Sequence, residues 1–414
     1  MPFTFSPRSA ETGMGRSPHG PQSLPGIDTK PVSLPDSPSG LQRKETILPP
    51  LRKTVSVLTR RSIVMGSLFA LTLAAGAMTG TRTLRAAGTV NILETGSSLL
   101  YPLFNLWVPA YAKIDPGTRI TTQSTGSGTG IAQAVEGIAQ IGASDAYMSD
   151  ALMKMHQGML NIPLAISVQM VNYNLPGLNQ RHLKLSGPVV AGIYQGRITK
   201  WNDPAISALN PGVALPARSI IPLHRTDGSG DTFIFTQYLS FSTPAWANSV
   251  SYGTTVSWPA VSGGLGAVGN PGMVTALKDN PYAIAYIGTS YQNAIEKDGL
   301  GIAMLKNRDG HFVLPDARTA AAAAAIMVPK TPKDQRVSLI FAPGAESYPI
   351  INYEYVMVNR KQPSAGMAAA LRKFFNWAIR ADGGNAPHFM NEVHFVPLPA
   401  PVVKLSAAQI AEIQ

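Results

Sequence analysis

Apolar and polar positions follow no period over residues 1–53, where Pro, Ser and Gly alternate with scattered charges. Such a segment cannot bury enough apolar surface to offset chain entropy. Thr59-Arg60-Arg61 then precedes an apolar stretch from Ile63 to Met78 containing Leu68, Phe69, Leu71 and Leu73, and small residues follow at Ala75-Gly76-Ala77 and Ala86-Ala87. A basic region, an apolar region and a small-residue site in that order read as a cleaved signal peptide. The stretch is shorter than the roughly 20 residues a membrane span needs. The pattern therefore predicts a disordered leader over 1–58 and a signal peptide over 59–87. The Arg60-Arg61 pair leaves twin-arginine and general export both open, and the true start codon could lie nearer the hydrophobic segment.

From Gly88 the pattern changes to short apolar runs alternating with helical spacing. Val90–Leu93 is a strand candidate, followed by Glu94-Thr95-Gly96-Ser97-Ser98 and a helical face of Leu99, Leu103, Leu106 and Trp107. Arg119–Thr122 is extended, ends at Gln123-Ser124-Thr125-Gly126-Ser127-Gly128, and leads to Ile131, Ala134, Val135 and Ile138 at helical spacing. Ile141-Gly142-Ala143-Ser144 is a further strand end with Asp145 just beyond it. Repetition of strand, tight corner and helix predicts an α/β fold, an open sheet with crossover helices.

A later corner has the same form. Ile220–Leu223 is extended, and His224-Arg225-Thr226-Asp227-Gly228-Ser229-Gly230-Asp231-Thr232 leads into Phe233–Thr236. Glycine permits the corner's backbone angles and a close ligand approach, while serine caps the helix. Each helix start presents unpaired N–H groups and partial positive charge, an arrangement suited to an anion. One such corner is usually only a cap. Three in one chain, with Arg225 and Asp145 beside them, point to an oxyanion site.

Composition narrows the alternatives. The 414 residues suit two lobes plus a tail. The absence of Cys excludes disulfides, thiolate metal sites, a cysteine nucleophile and a lipid-modified cysteine. Net charge is +11, but residues 1–87 carry 11 Lys/Arg against 4 Asp/Glu and the remainder 23 against 19. That near balance, with no long basic run, argues against nucleic-acid binding. No Gly-Lys dipeptide, HExxH or Gly-x-Ser-x-Gly occurs, so a P-loop, a zincin site and a hydrolase elbow all lack their motifs. No metal, cofactor or catalytic residue is expected. Ala320–Ala325 reads as helix former, and Trp201, Trp258 and Trp377 as packing residues; among the histidines, His224 is singled out by its position beside Arg225.

Gly96-Ser97-Ser98, Gly126-Ser127-Gly128, Gly142-Ala143-Ser144-Asp145 and Arg225-Thr226-Asp227-Gly228-Ser229-Gly230 together resemble the periplasmic phosphate-binding proteins of Pst ABC transport systems. The likeness extends from about Thr89 to the C-terminus, including Tyr348–Tyr355 and Leu405-Ser406, and the motifs Glu94–Pro102 and Asp227–Thr236 look like the actinobacterial branch. It implies a type II periplasmic-binding-protein fold: two α/β lobes joined by two crossing strands, with a ligand cleft between them. The crossings would fall near Ala165–Val171 and Ser347–Ile351, giving one lobe of 88–166 plus 347–414 and a second of 167–346. A return strand Tyr353–Val358 and helices near Met367–Ile379 and Ala407–Ile413 complete the first lobe.

The resemblance also assigns roles. Ser97, Ser98 and Leu99 would contact phosphate from the first corner, Leu99 through its N–H, although the family often carries Thr-Phe where this chain has Ser98-Leu99. Ser127 would donate from the second corner, and Ser229 and Gly230 from the last. Arg225 would grip two phosphate oxygens, with Asp145 and Asp227 as its counter-ions. Asp145 would accept a hydrogen bond that protonated phosphate can donate and sulfate cannot. It could otherwise cap the next helix. Asp231 stands where many members have Thr: its N–H could serve the ligand while its carboxylate caps the helix, or the carboxylate could be a second acceptor. The implied protein is a monomer free in the periplasm that carries inorganic phosphate to the permease subunits and ATPase of a Pst transporter. A binder of another oxyanion, or a secreted phosphatase-like hydrolase using the same cradle, is the alternative.

Overall fold

The computed structural model describes residues 89–414. The leader and signal peptide expected over 1–58 and 59–87 lie outside the described residues, and so does Gly88. Twelve strands follow in chain order: β1 Val90–Gly96, β2 Thr118–Ser124, β3 Ile141–Ser144, β4 Met159–Tyr173, β5 Lys184–Leu185, β6 Ile221–Arg225, β7 Leu265–Ala267, β8 Ala283–Gly288, β9 Gly301–Ile302, β10 Met304–Lys306, β11 Phe312–Val313 and β12 Ile351–Asn359. Nine of them form one sheet in the order β2-β1-β3-β12-β4-β8-β6-β7, with β9 also on β4; β11-β10-β5 form a small second sheet.

The strand β4 organises the molecule. All of its 15 residues are buried. Its first part, Met159–Val168, pairs antiparallel with β12, whereas Gln169–Tyr173 pairs antiparallel with β8, and Asn172 and Tyr173 also meet β9. The strand thus changes partners between Val168 and Gln169 and links the two halves of the sheet. On one side β1 is parallel to β2 and β3; on the other β6 is parallel to β7 and β8. Parallel neighbours need crossover connections, and the sequence supplies a helix after each corner.

The first of these helices, α1 (Tyr101–Ile114), begins with Pro102 in its first turn and buries Leu103, Phe104, Trp107 and Tyr111. Positions four apart share a helix face, which places Trp107 and Tyr111 against Phe374 and Trp377 of the helix Ala365–Ala378. The second, α2 (Ser127–Val135), starts after Gly126 at φ 89°. It ends before Gly137 at φ 74°, so Ile138 leaves the predicted helical face and is exposed. Near the C-terminus the last helix starts at Ala400, earlier than the predicted Ala407, because Pro399 and Pro401 lie at its start, where a missing N–H costs nothing. The alanine run lies in the helix Ala317–Met327, capped by Asp316 and Thr319. Trp201 is fully buried, and Trp377 and Trp258 pack in aromatic clusters.

Candidate functional site

The corners after β1, β2, β3 and β6 converge between the two layers. After β1, Ser97 Oγ accepts from the N–H groups of Leu99 and Leu100 at 3.0 Å each, fixing the entry to α1. The same hydroxyl donates to Asp145 Oδ1. Ser127, first residue of α2, has its hydroxyl 3.4 Å from Asp145 Oδ2 and accepts from the Asp145 N–H at 3.2 Å. Asp145 is buried, and it caps no helix: Ser149 caps Asp150–Met155, accepting from Leu152 N–H at 3.2 Å.

Opposite stands the corner after β6. Ser229 caps the helix Gly230–Ser242 by accepting from Thr232 N–H at 3.1 Å. Gly230 lies against the first layer so closely that a Cβ there would stand 2.5 Å from Ser127 Oγ and 2.6 Å from Asp145 Cβ. Backbone meets backbone nearby, where the Gly128 N–H donates to the Gly228 carbonyl at 2.8 Å. Among the described residues, no acceptor meets the N–H groups of Ser98, Ser127, Gly230 and Asp231. They form the array of unpaired donors that helix starts offer an anion.

Arg225 is buried beside this array. Its Nε donates to Asp227 Oδ1 at 2.7 Å, its Nη2 donates to Asp227 Oδ2, and its Nη1 donates to Asp231 Oδ2 at 2.6 Å. Of the two expected counter-ions, Asp227 pairs with Arg225, whereas Asp145 is replaced by Asp231 and feels Arg225 only through its field. The cause is local spacing, since Asp231 sits in the first turn of the helix that Arg225 precedes. Tyr286 steadies the arginine, its hydroxyl accepting from Arg225 N–H at 2.9 Å and meeting Thr232 Oγ1 at 2.7 Å while its ring stacks on Phe235 at 4.3 Å. His224 stacks on Trp258 at 5.0 Å and takes no part in the array.

The carboxyls divide by environment. Burial disfavours the charge of Asp227, but its hydrogen bonds from Arg225 outweigh that and hold it below the usual carboxylate range. Burial and then the charge of Asp145 push Asp231 up to about 7, against the pull of Arg225. Burial also raises Asp145, opposed by hydrogen bonds from Glu354, Ser97 and Ser127 and by the field of Arg225. Asp231 caps nothing: its carboxylate accepts from Arg225, from Asn270 Nδ2 at 2.8 Å and from Gln169 Nε2 at 3.1 Å.

Three neighbours were missed from the sequence. Asn270 opens the helix Gly269–Asp279 and ties the layers together, giving its N–H and Nδ2 to Ser98 Oγ at 3.0 and 2.9 Å. Gln169 lies on β4, and Glu354 lies on β12 with no exposure at all. The available signal was a polar residue inside an otherwise fully buried strand. Leu99 gives its N–H to Ser97, and its side chain packs against Gly288. Among the described residues no group of three His, Cys, Asp or Glu is placed to hold a metal.

The chain is similar to proteins already known. Residues 81–382 match the model of the PBP superfamily domain. The phosphate-binding protein PstS of Pasteurella multocida is 35% identical over 85% of this chain and 96% of its own length, and that of Methanocaldococcus jannaschii 34% over 77% and 85%. The PstS 3 protein of Mycobacterium leprae is 29% identical over 75% and 84%. In fold the chain is similar to a high affinity periplasmic phosphate-binding protein (PfluDING) bound with phosphate, TM-score 0.60 at 20% identity over 78% of this chain and 93% of that one. The phosphate binding protein of Stenotrophomonas maltophilia gives 0.60 at 19% over 77% and 94%. A two-lobed binding-protein fold, its corners meeting across a cleft, and this extent of identity place the chain in the PstS family of phosphate-binding proteins.

Proposed function

We propose that this protein captures inorganic phosphate between its lobes and delivers it to an ABC transporter of the Pst type. One observation carries the reading: a buried acceptor, Asp145, and a buried cation, Arg225, flank the same set of unpaired helix-start N–H groups. Ser98, Ser127, Ser229, Gly230 and Asp231 supply donors; Arg225 supplies charge-assisted hydrogen bonds. Ser97 acts through Asp145, and Leu99 packs at the mouth of the first corner. Asp145 accepts a hydrogen bond through the proton that phosphate retains near neutral pH. Sulfate would leave it an uncompensated buried charge facing an anion, a penalty of several kcal/mol.

Capture follows from lobe closure. The lobes are 88–166 plus 347–414 and 167–346, a division supported by the change of partners along β4 between Val168 and Gln169. Phosphate touches both lobes only when they are together, so it favours the closed form by its differential affinity. No covalent step is involved. The closed monomer then docks on the permease subunits, whose ATPase drives uptake. The periplasm is the place of action: the segment 59–87 directs export, and among the described residues no helix is long and apolar enough to cross a membrane.

Titration calorimetry of the processed protein with phosphate and with sulfate tests this reading. Tight phosphate binding with sulfate at least ~100-fold weaker is expected, as for a site whose buried acceptor goes unpaired in the wrong complex. Equal affinity, or turnover of a chromogenic phosphate ester, would overturn it.

A further inference from the structure

Glu354 lies on β12, one lobe's central strand, and does not belong to any corner. The β3–β12 ladder pairs Tyr355 with Ser144 antiparallel, which places Glu354 across from Asp145. The two carboxyls adjoin, and each weighs on the other's ionisation. Ser167 Oγ donates to Glu354 Oε1 at 2.5 Å, while the buried Oε2 meets no donor among the described residues. Asn352 Nδ2 holds the Asp145 main-chain carbonyl from the same strand. Two adjoining buried carboxyls resist double ionisation, so one of the pair is an acid.

The surroundings decide which. Asp145 faces two hydroxyls, Ser97 and Ser127, and the positive field of Arg225. Glu354 faces one hydroxyl, Ser167, and two negative groups, Asp145 and Asp231; Asp227 is taken up by Arg225. Every neighbour of Glu354 except Ser167 favours its neutral form, and burial, followed by the charge of Asp145, raises it well above the usual range.

We propose that Glu354 is a positioning residue for anion selectivity: it keeps the pair's proton and gives Asp145 a hydrogen bond, so that Asp145 remains an acceptor toward the ligand. This inference rests on the phosphate reading. Its consequence is directional. Without a donor behind it, the buried Asp145 would bind a proton at higher pH. A protonated Asp145 is a donor and no longer rejects an anion that lacks hydrogen, so selectivity would fail as pH falls.

The test compares wild type, Glu354→Gln and Glu354→Leu by titration calorimetry with phosphate and sulfate between about pH 5 and 8. Gln keeps a neutral donor, so its phosphate-to-sulfate ratio should stay within about threefold of wild type at each pH. Leu has no donor; its ratio should drop by about tenfold or more at the acid end and recover toward alkaline pH, as expected for an acceptor whose pKa has risen by a unit or more. An unchanged ratio in Leu at every pH, or a loss in Gln equal to that in Leu, would overturn the inference. Infrared spectroscopy covers a Leu variant that does not fold. Glu354→Gln at neutral pH should lose one buried-acid carbonyl band relative to wild type, with the bands of Glu94 and Asp231 retained; a difference spectrum without that loss would overturn the assignment. A wild type that binds neither anion would instead sink the phosphate reading on which all this rests.

Discussion

The corners leading into α2 and into the helix Gly230–Ser242 share one backbone plan and carry opposite chemistry. Each runs from a strand through glycine to a helix start with unpaired N–H groups. Around the first stand hydroxyls and an acid, Ser97, Ser127 and Asp145; around the second stands a guanidinium held by two acids, Asp227 and Asp231. The shared amides would serve any tetrahedral anion. On the proposed reading the side chains would divide the labour, with strength of binding concentrated on the Arg225 side and choice of anion on the Asp145 side.

The hardest blow to that division is Arg225→Met. It should weaken phosphate and sulfate alike by ~100-fold or more, because a desolvated charge pair is truncated. It should also lower the melting temperature, since Asp227 and Asp231 lose their cation. Calorimetry showing altered selectivity with preserved phosphate affinity would reverse the assignment of roles.

Asp145→Asn addresses the other side. Asn can donate to an oxyanion, so sulfate should come within about tenfold of phosphate in competition measurements. Next in size is Gly230→Ala, whose methyl would press on Ser127 Oγ and Asp145. Both anions should bind about tenfold more weakly, with scattering showing a more open particle on saturation. If only one anion suffered, Gly230 would belong to the choice of anion rather than to closure.

A smaller, pH-dependent effect is expected from Asp231→Thr. Burial and the Asp145 charge put Asp231 at about 7, so it is protonated below that pH and a second negative charge above it. Wild-type affinity for the phosphate dianion should therefore fall as pH rises through 7. The variant should bind several-fold more tightly above about pH 8 and much the same below about pH 6. Calorimetric affinities identical at every pH would remove Asp231 from the contest.

Least disruptive is Glu94→Gln on β1. Burial raises Glu94 to about 8, with Thr122 donating to Oε2 and Oε1 unpartnered. The folded chain thus holds a proton that the unfolded chain releases above about 4.5. Its stabilising contribution is complete below that pH and is lost as pH rises through 8. Thermal melts of the variant should flatten that decline while phosphate affinity stays constant; an unchanged pH dependence would show that Glu94 is charged throughout.

Local pattern made much of this legible. The corners announced themselves through glycine and serine at strand ends, and Asp145, Arg225 and the serines follow from them. What sequence could not reveal depends on pairing across the sheet. Glu354 reaches Asp145 only because β12 lies beside β3, and Gln169 reaches Asp231 because β4 continues past its change of partners. Asn270 resembles any polar residue at a helix start. The counter-ion exchange from Asp145 to Asp231 needed side-chain directions that spacing leaves open. Ile138 misled because helical spacing persisted past the glycine that ends α2.

At the seam, Gly128 and Gly228 face each other peptide to peptide, with no side chain from either. Such a joint has nothing with which to recognise a cargo and little with which to grip one. Any substituent there would act as a doorstop, leaving the jaws ajar whatever lay inside. On the proposed reading these two positions would govern how long a load stays aboard, with the choice of load made elsewhere.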